Sequence, residues 1–253
     1  VIFYKVLNVD GTPFHGGTSR WHLPTADGPG EWMPAIPDPV PCARGYHLCR
    51  DATDLLEWLG PTIWVAEASG AVVTDHNKVV VERARLLRRL PWDERIAREF
   101  AADCAERVLP VYEAAYPGDD RPRRAVEVAR AYARDGATRD QLVAAGMAAD
   151  TAARNAVRAP SDAAEAAANT AVWEAVRAAT DAAQAAAWAA ARAAAWYAGE
   201  AAAPAAAWAT DAAALAAVDD AAWEAAEAAE AAERRWQAAR LAELLGIDPP
   251  RPR

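Results

Sequence analysis

Residues 182–198 read AAQAAAWAAARAAAWYA, and AAAPAAAWATDAAALAA follows at 201–217. Alanine has the highest helix propensity of any residue and no branched side chain to crowd the preceding turn, so this text can hardly be anything but helix. Ser161 after Pro160 is an N-cap signal, and from it one helix can run to Gly199, about 57 Å at roughly 1.5 Å per residue. Its polar positions, Asn169, Glu174, Arg177, Asp181, Gln184 and Arg192, trace one drifting stripe. So narrow a polar face means that most of the circumference must meet other protein. Trp173, Trp188 and Trp196 form a broad band on it. Each ring can bury about 150–250 Å², and the first reading makes them knobs in the core of an antiparallel bundle. A second makes Trp188, Trp196 and Trp208 a self-association surface, and a third makes them a platform for a stacked ligand.

The same helical grammar extends over the whole of residues 91–246. In PWDERIAREFAADCAERVL, Ile96, Phe100, Cys104 and Val108 recur every four residues as one apolar stripe. Pro110 is expected to kink or end that helix, and YPGDDRP (116–122) breaks the chain. A further helix carries Val126, Val128 and Tyr132 and closes at Gly136, and Thr138 with Gln141 stands in capping-box register for the next. Pro204 restarts a shorter helix, and Asp219 or Asp220 caps the last, which stops at Gly246 before the PPRPR tail. In that last helix Glu224, Glu227, Glu230 and Glu233 repeat every three residues, an acidic stripe that is either a solvated face or a docking surface for a basic partner. No strict seven-residue repeat supports a long coiled coil.

Residues 1–90 are composed differently. They hold all four histidines and nine Lys and Arg against ten Asp and Glu, whereas 91–253 hold 18 against 26, so nearly all of the formal charge of −9 falls on the second half. VIFYKVL (1–7), GYHLC (45–49), TIWVAEAS (62–69) and KVVVERARLL (78–87) read as strands. DATDLLEWLG reads as a helix with Asp51 as N-cap, Leu55, Leu56 and Leu59 on one side and Gly60 as its stop. The Pro- and Gly-rich stretch 24–41 reads as an exposed loop. The expectation is an α+β protein with a small α+β domain at 1–90, an all-α Ala/Trp-rich antiparallel helical bundle at 91–246 and a Pro/Arg tail at 247–253.

Several function classes lose support. An acidic chain lacks the clustered Lys and Arg that grip a phosphate backbone, so no nucleic-acid partner is expected. No window is long and apolar enough to span a membrane, and with no secretory signal at its start the chain is expected in the cytoplasm. Cys42, Cys49 and Cys104 do not make a disulfide framework or a zinc set and are expected to be buried thiols. No phosphate-loop, dinucleotide or metal motif appears, so neither cofactor nor metal is expected.

Segment 98–136 resembles the opening of a group of bacterial proteins classed as immunity proteins, predicted to neutralise polymorphic toxins. The shared positions run from Phe100, Asp103, Cys104 and Ala105 through Leu109 and Tyr112 to Asp119, Asp120, Arg121 and Pro122, then Ala125, Ala129 and Ala133. The likeness extends over roughly 91–245, with Ala-rich helices after the opening. It implies a non-catalytic protein that binds a protein partner, a toxin among the candidates. Relatives often carry histidines in those helices; this chain has none after His76, so any site built from them is absent. The first 90 residues resemble a small domain of phage and bacterial proteins in their FYKV-like strand, GYHLC-like motif and WVAEASG-like strand. Their layout is also loosely similar to ADP-ribosyltransferase-like folds, which would assign Tyr4, His15, His47 and Glu67 or Glu82 to a nicotinamide cleft.

Three functions follow in order. The first is a protein-binding factor, immunity-like or associated with phage or defence, with Asp119, Asp120, Arg121, Glu224, Glu227 and Glu230 as candidate partner contacts. The carboxylates at 119 and 120 also suit a plain helix cap. The second is a structural homo-oligomer or filament built through Trp188, Trp196 and Trp208. The third is an enzyme of the ADP-ribosyl-transferring kind with His47 and Glu67, although strand alternation lets His47 be an ordinary surface or satisfied core histidine.

Overall fold

A computed structural model describes residues 2–158 and 220–250. The chain divides into two compact units, Val1–Asp93 with Ala238–Arg253, and Glu94–Gln237.

The first unit is built on an antiparallel sheet of β1 (Ile2–Leu7), β2 (Tyr46–Leu48), β3 (Thr62–Asp75) and β4 (Lys78–Arg89) in the order β1-β3-β4-β2. One helix, α1 (Ala52–Trp58), lies between β2 and β3 in the chain. Alternation sends Phe3, Leu7, Tyr46, Leu48, Trp64, Ala66, Val79, Val81, Ala84 and Leu86 into one core with Trp21 and Met33. Cys49, just past β2, exchanges two 2.8 Å backbone hydrogen bonds with Tyr4, so the sheet curls until its outer strands meet.

β3 is longer than TIWVAEAS. Gly70, at φ +82°, lies within the register shift between Ser69 and Val72, a bulge that lets the pairing resume and run on to a tight turn at His76 and Asn77. Asp51 caps α1 by accepting from the Thr53 and Asp54 amides, and Leu55, Leu56 and Leu59 are buried. Gly60 has a different reason to be glycine from the expected helix stop. The chain leaves α1 in an extended conformation at Leu59, and a Cβ on Gly60 would stand 2.5 Å from the Phe14 ring and 2.7 Å from Val6.

The stretch 24–41 is not the exposed loop that its composition suggests. The amides of Gly30, Met33 and Ile36 donate to the carbonyls of Leu86, Ala84 and Glu82 at 2.9 Å each, so the segment straps the edge of β4 that short β2 leaves uncovered. None of its six prolines, at 24, 29, 34, 37, 39 and 41, occupies a position that donates to β4, and Met33 is buried. The change of grammar near residue 90 also shifts slightly. Trp92 is buried in the first unit with its indole N–H on the Gly60 carbonyl at 2.9 Å.

The second unit contains α2 (Glu94–Ala115), α3 (Arg121–Ala133), α4 (Arg139–Arg158) and the first turns of α5 (Asp220–Leu245). Pro110 does not end α2, which continues for five residues beyond it. Ile96, Phe100 and Cys104 are buried as the four-residue spacing requires. α3 packs on α2 and on α4. The capping box is present: Gln141 Oε1 accepts from the Thr138 amide at 2.7 Å and Thr138 Oγ1 accepts from the Gln141 amide at 3.2 Å. α5 ends at Gly246, φ +63°, where the amides of 246 and 247 reach back to Glu243 and Ala242 in a Schellman pattern. Its last turns, with Leu241 and Leu245 fully buried, belong to the first unit. The long Ala–Trp helix read at 161–199 and the restart at Pro204 lie outside the described residues.

A Cβ on Gly30 would overlap the His22 backbone carbonyl, whereas one on Gly28 would meet nothing within 4 Å. Gly30→Ala is expected to lower stability by about 2 kcal/mol and Gly28→Ala by well under half of that, read from denaturant unfolding of the two variants.

Candidate functional site

Two places bring polar chemistry together. The first is the hairpin of α2 and α3. Acidic residues of α2 at 99, 103, 106 and 113 recur at helical spacing and meet bases of α3 at 123, 130 and 134. Glu113 pairs with Arg123 at 2.6 Å, Asp103 with Arg130 at 2.7 Å, Glu106 also with Arg130, and Glu99 with Arg134 at 3.4 Å. The partners run in opposite order along the two helices, which makes the pair antiparallel. Most of these contacts face solvent and are screened by it, so each adds little; the pair of largely buried Asp103 with Arg130 matters most. The Arg123 hydrogen bonds hold the Glu113 carboxyl below its usual range. Further along α2, Arg107 lies over the Trp236 ring of α5 at 4.6 Å.

The turn between these helices separates the two aspartates. Asp119 accepts from the Arg121 amide at 3.2 Å and from its guanidinium at 2.7 Å, so it acts as the local cap. Asp120 occupies the N-cap position but makes no capping side-chain bond, and it is exposed. Glu224, Glu227 and Glu230 lie on α5, with side chains outside those described. Trp188, Trp196 and Trp208 lie outside the described residues altogether.

The second place is a cavity of about 450 Å³ in the first unit. It gathers Tyr4 and Lys5 of β1, His15 and the Gly16–Ser19 loop, His47 of β2, and Lys78 at the start of β4. Tyr4, His15 and His47 are thus brought together as the layout resemblance requires, but Glu67 and Glu82 are not among the lining residues. Glu67 pairs with Arg85 at 2.7 Å, and Glu82 accepts from the Ala71 amide at 3.0 Å. His47 is committed to structure. Its Nε2 accepts from the Cys42 amide at 3.0 Å, while burial and the charges of Lys5 and Lys78 push its pKa down and keep the ring neutral. His15 bonds the Trp58 carbonyl through Nε2 at 2.7 Å.

Lys5 escaped the sequence reading, although a lysine in the middle of FYKVL was its signal. Its ammonium donates to the His47 carbonyl at 3.0 Å and lies 5.3 Å from the centre of the Trp21 ring. Burial lowers its pKa from 10.5 to about 8. Asp54 also escaped. It is 1% exposed and held by the Arg50 amide and guanidinium at 2.7–2.9 Å, an ion pair that closes the turn into α1. Cys49 is buried, its thiol pushed far up by desolvation, whereas Cys42, expected to be buried, is exposed at φ +60°. Among the described residues no His, Cys, Asp and Glu group could hold a metal ion, and no helix is long and apolar enough to cross a membrane.

The family model described as Imm-5 like putative immunity protein matches residues 92–175, which takes in α2, α3, the DDRP turn and α4. The resemblance drawn from 98–136 therefore stands for this third of the chain. No curated protein and no solved structure matches it.

Two consequences are measurable. Because the folded chain releases the Lys5 proton near pH 8 and the unfolded chain near 10.5, stability should rise with pH between those values; Lys5→Met should remove that part of the rise and be at least as stable at pH 7, by denaturant unfolding at both ends. Of the three thiols, Cys42 should react with an aromatic disulfide in seconds to minutes, and Cys49 and Cys104 only on unfolding.

Proposed function

We propose that the protein is a non-catalytic, immunity-like factor that binds a protein partner through its helical unit. The observation that carries this reading is the family match over residues 92–175, which falls on the braced α2–α3 hairpin and its exposed turn. Ion pairs hold the hairpin in one geometry, so little ordering remains to be done on association. The acidic surplus of residues 91–253 favours a partner with a basic surface, a toxin among the candidates, and speeds its approach. Asp120, exposed and not spent on capping, is the carboxylate of the turn best placed for such a partner, while Asp119 and Arg121 hold the turn in shape. Glu224, Glu227 and Glu230, whose side chains lie outside those described, are further candidate contacts for a basic partner.

The test is co-expression of the full chain with the product of its neighbouring gene, scored by co-purification and by rescue of growth if that product is toxic. Asp120→Lys is expected to weaken binding at least about tenfold with little change in melting temperature, and added salt should weaken the wild-type complex. Asp119→Asn should lower the melting temperature as well. A chain that neither co-purifies nor rescues, or that binds equally well with Asp120→Lys, would sink the proposal.

A further inference from the structure

The cavity of the first unit carries a charge opposite to that of the chain. Among the described residues two lysines and two histidines line it, and neither an aspartate nor a glutamate does, in a protein of formal charge −9. Lys78 is partly neutralised by Asp75 at 3.2 Å and lies over the Trp58 ring. Lys5 is different: among the described residues no carboxylate pairs with it, and its recorded neighbours are a carbonyl and an aromatic face. Lys5 is partly buried, and holding an ammonium partly out of water without a counter-charge costs free energy, which an anion entering the cavity would return. The depressed pKa of Lys5 is the expected sign of that deficit.

The walls add a second requirement. Tyr4, Trp21, Tyr46 and Trp58 surround the lysines, and a volume of about 450 Å³ falls in the range of small-molecule sites. The donors that line the cavity are the lysine ammoniums and the Thr18 and Ser19 hydroxyls, without an arginine fork, while His15 and His47 are bonded to the protein backbone. Point donors arriving from several directions suit a tetrahedral phosphate better than a planar carboxylate, which favours a bidentate guanidinium. We propose that this cavity binds a ring-bearing monophosphate of the nucleotide class, with Lys5 holding the phosphate and the aromatic walls taking the ring.

The four histidines make a built-in reporter, because His15 and His47 line the cavity and His22 and His76 do not. Adenosine 5′-monophosphate, inorganic phosphate and adenosine would be titrated into the full-length protein while the imidazole signals are followed by NMR. The expected result is saturable movement of the His15 and His47 signals by the monophosphate at submillimolar concentration, with phosphate and adenosine each at least about tenfold weaker. Lys5→Met, folded by circular dichroism, should weaken the monophosphate at least about tenfold; should it not fold, Lys78→Met must show the loss instead. The proposal is overturned if about 10 mM monophosphate leaves His15 and His47 unmoved, if all four histidines move alike, if adenosine binds as tightly, or if the lysine variant that folds binds as wild type does.

Discussion

The pair of backbone hydrogen bonds between Tyr4 and Cys49 organises the first unit. They join the outer strands of a sheet whose order, β1-β3-β4-β2, would otherwise leave β1 and β2 at opposite edges. Closure at one end brings Lys5 under the His47 carbonyl and sets the cavity between the two strands and the loop after β1. It works because β2 is only three residues long and leaves the rest of β4 to the Gly30–Ile36 strap. A longer β2 would compete with that strap for the Leu86, Ala84 and Glu82 carbonyls.

The helical unit is held by other means. Among its described residues Ala97, Ala102, Ala133, Ala149 and Ala152 are buried, which lets helices approach but leaves less side chain to specify one packing over another. Charge supplies much of the missing specificity: α2 offers acids in the order that antiparallel α3 offers bases, and a shift of one turn would unpair them. The immunity-family match falls within the half of the chain that carries nearly all of its net negative charge, and the cavity lies in the other unit. Because the proposed protein-binding surface and the proposed small-molecule site fall on separate units, each can be changed without altering the residues of the other.

Much of the fold was legible, and for local reasons. Asp51 capping α1, Thr138 with Gln141 opening α4, Gly246 ending α5 and the buried stripe of Ile96, Phe100 and Cys104 all depend on neighbours within one or two turns. The strap misled because proline count measures where donors are missing, not whether the donors between them are used. Cys42 misled because a residue at positive φ in a turn need not follow its type's usual burial. Of the candidate chemistry, the gathering of Tyr4, His15 and His47 emerged, while Glu67 and Glu82 went to other partners on the sheet.

By itself the sequence determined the α+β character of residues 1–90, the caps of α1, α4 and α5, the acidity of the second half and its likeness to immunity proteins. Only the tertiary structure decided that, among the described residues, no carboxylate pairs with Lys5, that Asp119 is spent on its own turn while Asp120 makes no capping side-chain bond, and that Trp92 belongs with the sheet. The first group is set by propensities and hydrogen bonds that act within a few residues. The second depends on geometry that local text does not show: which groups meet in space, Lys5 with His47 across 42 residues and Trp92 with Gly60 across 32, and which of two adjacent aspartates the turn uses.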